Sequence, residues 1–191
     1  KVDLLAWLKG QSAYPQFYLH FRDEPKALAA LGEERSFSQL NLAQEFIEES
    51  GFPLVGGLQF QGTAQFVLPK ILVEQDEKGA LVSFFVKDEQ SANDTLAHLK
   101  TFENITALSA LPKQIPLHTE LRANERTWCD WVNQALVEIK SGELTKIVLA
   151  NETTFHLKQA INAYDFLAES EKQNQGCYHF LWAEKPHSVF V

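Results

Sequence analysis

Apolar positions along this chain change period several times, and each change marks an element. "QFYLHFR", Gln16 to Arg22, is aromatic, β-favouring and roughly alternating, which predicts a strand; "KALAALG" follows across a turn at Asp23-Glu24-Pro25. "SFSQLNLAQEFIEESG" sets Leu40, Ala43, Phe46 and Ile47 at helical spacing and stops at Gly51, predicting a surface helix. Three strands are expected next, "PLVGGLQF", "AQFVLPKILVEQ" and "GALVSFFVKD", the last two joined by Asp76-Glu77-Lys78-Gly79 as an antiparallel hairpin. "SANDTLAHLKTFENI" reads as a helix, and "SALPKQIPLHTEL", with Pro112 and Pro116, as a linker.

A long helix follows. Thr127 is the expected cap, and Trp128, Val132, Ala135, Leu136 and Ile139 recur with the spacing of one buried stripe that ends at Ser141-Gly142. A strand is expected from Lys146 through Ile147, Val148, Leu149 and Ala150, prolonged by "NETTFHL". Asn162 opens another helix with Ala163, Phe166 and Leu167 facing inward and Gly176 closing it; "CYHFLWAE" and "HSVFV" then form a hairpin around Glu184 to Pro186. The expected fold class is α+β, mostly antiparallel sheets with outer helices. The linker divides a strand-rich N-terminal subdomain, residues 1–115, from a second part, residues 116–191.

Composition narrows the function classes. The 191 residues are 45% hydrophobic and 22% charged, enough for a packed core. A net charge of −8 argues against nucleic acid or an anionic membrane as partner, since both need a basic face. Cys129 and Cys177 have neither the number nor the spacing of a disulfide framework or zinc site, and read as buried thiols of a cytosolic protein. No apolar run approaches the roughly 20 residues that cross a bilayer. The chain contains no methionine and ends on the apolar strand pattern "SVFV", so it reads as a fragment.

Most candidate chemistry has a plainer explanation. Gly56-Gly57 lacks the phosphate-loop pattern and favours a bulge or close strand contact. The six histidines are scattered; His179, between Tyr178 and Phe180, stands out, but no His/Cys/carboxylate grouping has metal-ligand spacing. Trp7, Trp128, Trp131 and Trp182 read as core or half-buried packing residues. Lys146, at the head of an apolar run, leaves two readings open. It is an exposed or snorkelling strand-start lysine, or a partly buried one whose ammonium is disfavoured, giving an amine able to take a proton from water.

"GELTKIVLAN", preceded by the Trp128 helix and followed by "CYHFLWAE" and "SVFV", resembles the chorismate-binding enzymes, most of all the menaquinone-pathway isochorismate synthases. Their matching run is close to Gly-Glu-Leu-x-Lys-Val-Val-Leu-Ala-Arg. "YPQFY", "VGGLQF" and "FVLPKILVE" resemble the opening sheet of that subgroup. The resemblance covers about the first half of a complete family member, so residues 116–191 would open the catalytic domain.

The resemblance implies a role for Lys146: the general base that activates water for attack at C2 of chorismate, with Mg²⁺ as cofactor and a glutamate as general acid. Relatives that use ammonia carry a glutamine at this position, which is chemically reasonable because ammonia is already a nucleophile. Salicylate synthases share the base and add pyruvate elimination, and an isochorismate synthase of siderophore rather than menaquinone synthesis is the other enzyme alternative. Asn151 departs from the family arginine. The family's Gly-x-x-Pro-Glu motif, with the acid, would begin just after Val191, and the magnesium ligands would lie beyond it. A monomer is expected by analogy. Against the enzyme reading stands a non-catalytic binding module.

Overall fold

Asp3 starts the first helix: its carboxylate accepts from the Ala6 N–H at 3.0 Å, satisfying one of the donors a first turn leaves free. This helix, α1 (Leu4–Lys9), buries Leu4, Leu5, Ala6, Trp7 and Leu8. Six residues are too few to show a period, so the sequence pattern assigns nothing here. The structure is a computed structural model that describes residues 2–59, 61–88, 93 and 99–191. The chain forms two compact units, Lys1–Leu111 with Ile161–Val191, and Pro112–Ala160.

Along the first unit lie β1 (Gln16–His20), β2 (Ala27–Leu31), β3 (Arg35–Phe37), α2 (Leu40–Ser50), β4 (Val55–Leu58), β5 (Ala64–Leu68), β6 (Ile71–Gln75) and β7 (Ala80–Phe84). A 3-10 turn, Leu99–Glu103, comes before the second unit, which holds β8 (His118–Leu121), α3 (Glu125–Ser141) and β9 (Thr153–His156). The chain then returns to the first unit as α4 (Ala163–Gln173), β10 (His179–Lys185) and β11 (Ser188–Phe190). The sheets run β11-β10-β1-β2-β6-β7, β3-β5-β4 and β8-β9, antiparallel throughout. The α+β expectation is met.

Period-2 alternation gives the six-stranded sheet two apolar faces. Ala29, Leu31, Ile71, Val73, Leu181 and Ala183 share one cluster with α1 and with Tyr164 and Leu167 of α4. Ala30 and Leu72 turn the other way and pack with Val55 and Val67 of the three-stranded sheet. "AQFVLPKILVEQ", expected as one strand, is therefore two: the chain breaks at Pro69-Lys70, sending β5 into the small sheet and β6 into the large one. Proline has no N–H for a ladder, which makes it the natural breaking point.

The β6–β7 hairpin forms as expected. The Asp76 carboxylate accepts from the N–H groups of Lys78 at 2.7 Å and Gly79 at 3.0 Å, and these donors hold its carboxyl below the usual range. Gly56 is a close strand contact, for at φ 140° a Cβ there would lie 2.0 Å from the Gln65 carbonyl oxygen.

Residues 161–191, expected with the second part of the chain, belong to the first unit because β10 pairs with β1 from Gln16↔Ala183 to His20↔His179. Asn162 caps α4 as expected, accepting from Tyr164 and Asp165 N–H. The inward face of α4 is Tyr164, Asp165 and Leu167, whereas Phe166 is 43% exposed; the helix ends at Gln173, ahead of Gly176. Of the helix expected across "SANDTLAHLKTFENI", residues 91, 92 and 94–98 lie outside the described residues. Its described end is the 3-10 turn, whose Phe102 stacks on Trp7 with ring centroids 4.9 Å apart. Among the described residues, no helix is long and apolar enough to cross a membrane.

Candidate active site

Lys146 lies in the second unit, in the segment between α3 and β9. Asn124, not Thr127, caps α3: its Oδ1 accepts from the Thr127 N–H at 3.0 Å and from the Thr127 hydroxyl at 3.1 Å. The capping residue must stand outside the helix, and Thr127 already lies within the first turn. Gly142, at φ 87°, takes the left-handed conformation that stops the helix. Of the expected buried stripe only Ala135 is buried; Trp128, Val132 and Ile139 are half-buried and Leu136 is 47% exposed. So small a unit cannot enclose a whole helix face.

The strand expected from Lys146 begins only at Thr153. Pairing of β9 with β8 stops at Leu121↔Thr153, and a run without a ladder partner is not a strand. Ile147 is 43% exposed, Val148 79%, and Lys146 is exposed, its ammonium without a hydrogen-bond or ion-pair partner among the described residues. The partial burial that the base reading calls for is therefore not supplied by this unit.

Asn151, in place of the family arginine, has a clear structural job. Its Nδ2 donates to the Ala123 carbonyl at 2.9 Å while its Oδ1 accepts from the Ala123 N–H at 3.0 Å, and Oδ1 also accepts from the Glu152 N–H. This clasp takes over where the β8–β9 ladder ends. An arginine has donors only and could not make the accepting half.

Cys129 and Cys177 are exposed rather than buried, Cys129 on the outer face of α3 and Cys177 in the loop between α4 and β10. Trp7 is fully buried and the other three tryptophans half-buried, as expected. The scattered histidines conceal a grouping that only the fold reveals: His20, Glu171 and His179 offer ligand atoms that all lie within 4.8 Å of one another. His20 Nδ1 is 3.2 Å from Glu171 Oε1, to which the Tyr18 hydroxyl donates at 2.9 Å. Burial, then Glu171, pushes the Tyr18 phenol above its usual range. The β1–β10 register, not local spacing, creates this group. Its two imidazoles do not fit magnesium, which takes a near-octahedral oxygen shell.

The fold and its antiparallel sheets agree with what the comparisons define: the chain belongs to the chorismate binding enzymes, whose family model matches residues 58–191. Among curated relatives, it is 94% identical over its full 191 residues to Isochorismate synthase MenF of Haemophilus influenzae, covering 44% of that protein. It is 48% identical to the protein of that name from Pasteurella multocida over 99% of this chain, again covering 44% of the relative. The solved structure of MenF, the menaquinone-specific isochorismate synthase from Escherichia coli, matches with a TM-score of 0.79 at 26% identity, over 98% of this chain and 46% of that one. The chain thus spans less than half the length of the relatives it matches.

Proposed function

We propose that this chain belongs to an isochorismate synthase that converts chorismate to isochorismate by attack of water at C2, with Lys146 as the general base, and that the product serves menaquinone synthesis. The observation that carries the reading is the 94% identity over all 191 residues to a relative named for that activity. The lysine at position 146 favours water over ammonia as nucleophile, because water needs a base to become one.

The chemistry asks for more than these residues hold. An exposed lysine becomes an effective base when desolvated, so substrate and the remainder of the whole protein would close over Lys146. The bare apolar run Ile147 to Ala150 would gain strand partners in the same step. Residues 116–191 would then open the catalytic domain. Magnesium is proposed for the whole protein, held by residues other than those described here. The protein is read as a cytoplasmic monomer that meets neither nucleic acid nor membrane.

The test is to incubate the whole protein with chorismate and Mg²⁺, without ammonia, and identify the product. Isochorismate supports the reading. Salicylate with pyruvate replaces it by the salicylate-synthase alternative, and unchanged chorismate supports a non-catalytic module.

A further inference from the structure

The group formed by His20, Glu171 and His179 answers to a chemistry outside the reaction proposed above. His20 and His179 face each other across the β1–β10 pairing, and Glu171 reaches them from α4. His179 is only 7% exposed, yet among the described residues neither of its ring nitrogens has a hydrogen-bond partner. Buried polar atoms are nearly always partnered, and a neutral imidazole carries one donor and one acceptor, so this ring lacks both partners at once. An ion pair between His20 and Glu171 alone would leave that unexplained. A metal bond would employ one of the nitrogens.

We propose that His20, Glu171 and His179 bind a divalent first-row transition ion, zinc foremost, with water in the fourth position. Two imidazoles and one carboxylate are a donor set of three-ligand zinc sites. Zinc bonds of about 2.0–2.1 Å place ligand atoms about 3.4 Å apart, so the wider separations in the group, which reach up to 4.8 Å, must close by as much as about 1.4 Å. The His20 and Glu171 side chains are 40% and 21% exposed and have room to do so, while His179 is fixed by its strand. The Tyr18 hydroxyl on Glu171 Oε1 orients the carboxylate, the usual task of a group behind a metal ligand. A cavity of about 400 Å³, lined by all three residues together with Arg22, Asp23 and Cys177, provides the entry path. The ion ties α4 to two strands of the large sheet.

The test uses protein stripped with a chelator and titrated with Co²⁺, followed by visible absorption, and with Zn²⁺, followed by calorimetry. One equivalent of Co²⁺ should produce the bands of a four-coordinate site, be displaced by Zn²⁺ and resist excess Mg²⁺. His20→Ala and Glu171→Gln, both at partly exposed positions, should each weaken Zn²⁺ binding at least about tenfold and abolish its effect on Tm. His156→Ala, in the exposed His118–Glu120–His156 group, should leave binding unchanged. Absence of stoichiometric binding, or binding that only His156→Ala weakens, overturns the proposal.

Discussion

Single residues here show how one side chain can be committed to structure or left open for chemistry. Asn151 is committed, its amide meeting both backbone groups of Ala123. Asn151→Ala should strand the buried Ala123 amide and carbonyl and cost about 1–3 kcal/mol locally. Amide exchange at Ala123 should then quicken by about tenfold or more, and unchanged exchange would show that the clasp contributes nothing. Lys146 is the open one, exposed at the head of an apolar run. Residues whose neighbours in sequence set their task were legible: the Asn162 cap, the stop at Gly51, the close contact at Gly56. His20 and Glu171 meet across 151 positions, and no local pattern carries that pairing.

Elements were legible where a period had room to repeat. The α2 helix and the β6–β7 hairpin follow their patterns, whereas six-residue α1 does not, and the apolar run after Lys146 reads as a strand but finds no ladder partner among the described residues. How α4 meets the sheet gives a pH prediction. The Tyr164 hydroxyl donates to the buried Gln16 side chain, and burial, then Tyr14, pushes the phenol above its ordinary range near 10. Because the folded-state pKa is the raised one, Tyr164 contributes stability that is fully present below about pH 10 and is lost as pH rises beyond it. Above that pH, Tyr164→Phe should flatten the fall in unfolding free energy by up to about 1.4 kcal/mol per pH unit. Parallel slopes for variant and parent would mean that this phenol ionises freely in the fold.

At the scale of the whole molecule, the first unit is closed by contacts between its two ends in sequence. Lys9 of α1 donates to both oxygens of Asp165 in α4, at 2.8 and 3.0 Å, and Asp165 also accepts from the Ser109 N–H. Both side chains are nearly buried, at 12% and 9% exposed, so Asp165→Ala leaves the Lys9 ammonium with the Ala107 carbonyl at 2.9 Å but without its counter-charge and should cost about 3–5 kcal/mol in denaturant unfolding. A loss below about 1 kcal/mol would mean that water reaches Lys9 freely. This closure, like the return of β10 to pair with β1, packs residues 161–191 against the start of the chain, which the proline-rich linker does not foretell: composition marks where a chain bends, not where it comes back. The proposed role of Lys146 is tested by Lys146→Gln in the whole protein, assayed for isochorismate from chorismate and Mg²⁺. Glutamine keeps a polar side chain of similar reach, so the fold, checked by Tm, should persist while product formation falls at least about a hundredfold. A folded variant that still forms isochorismate at the parent rate would contradict the assignment of the base.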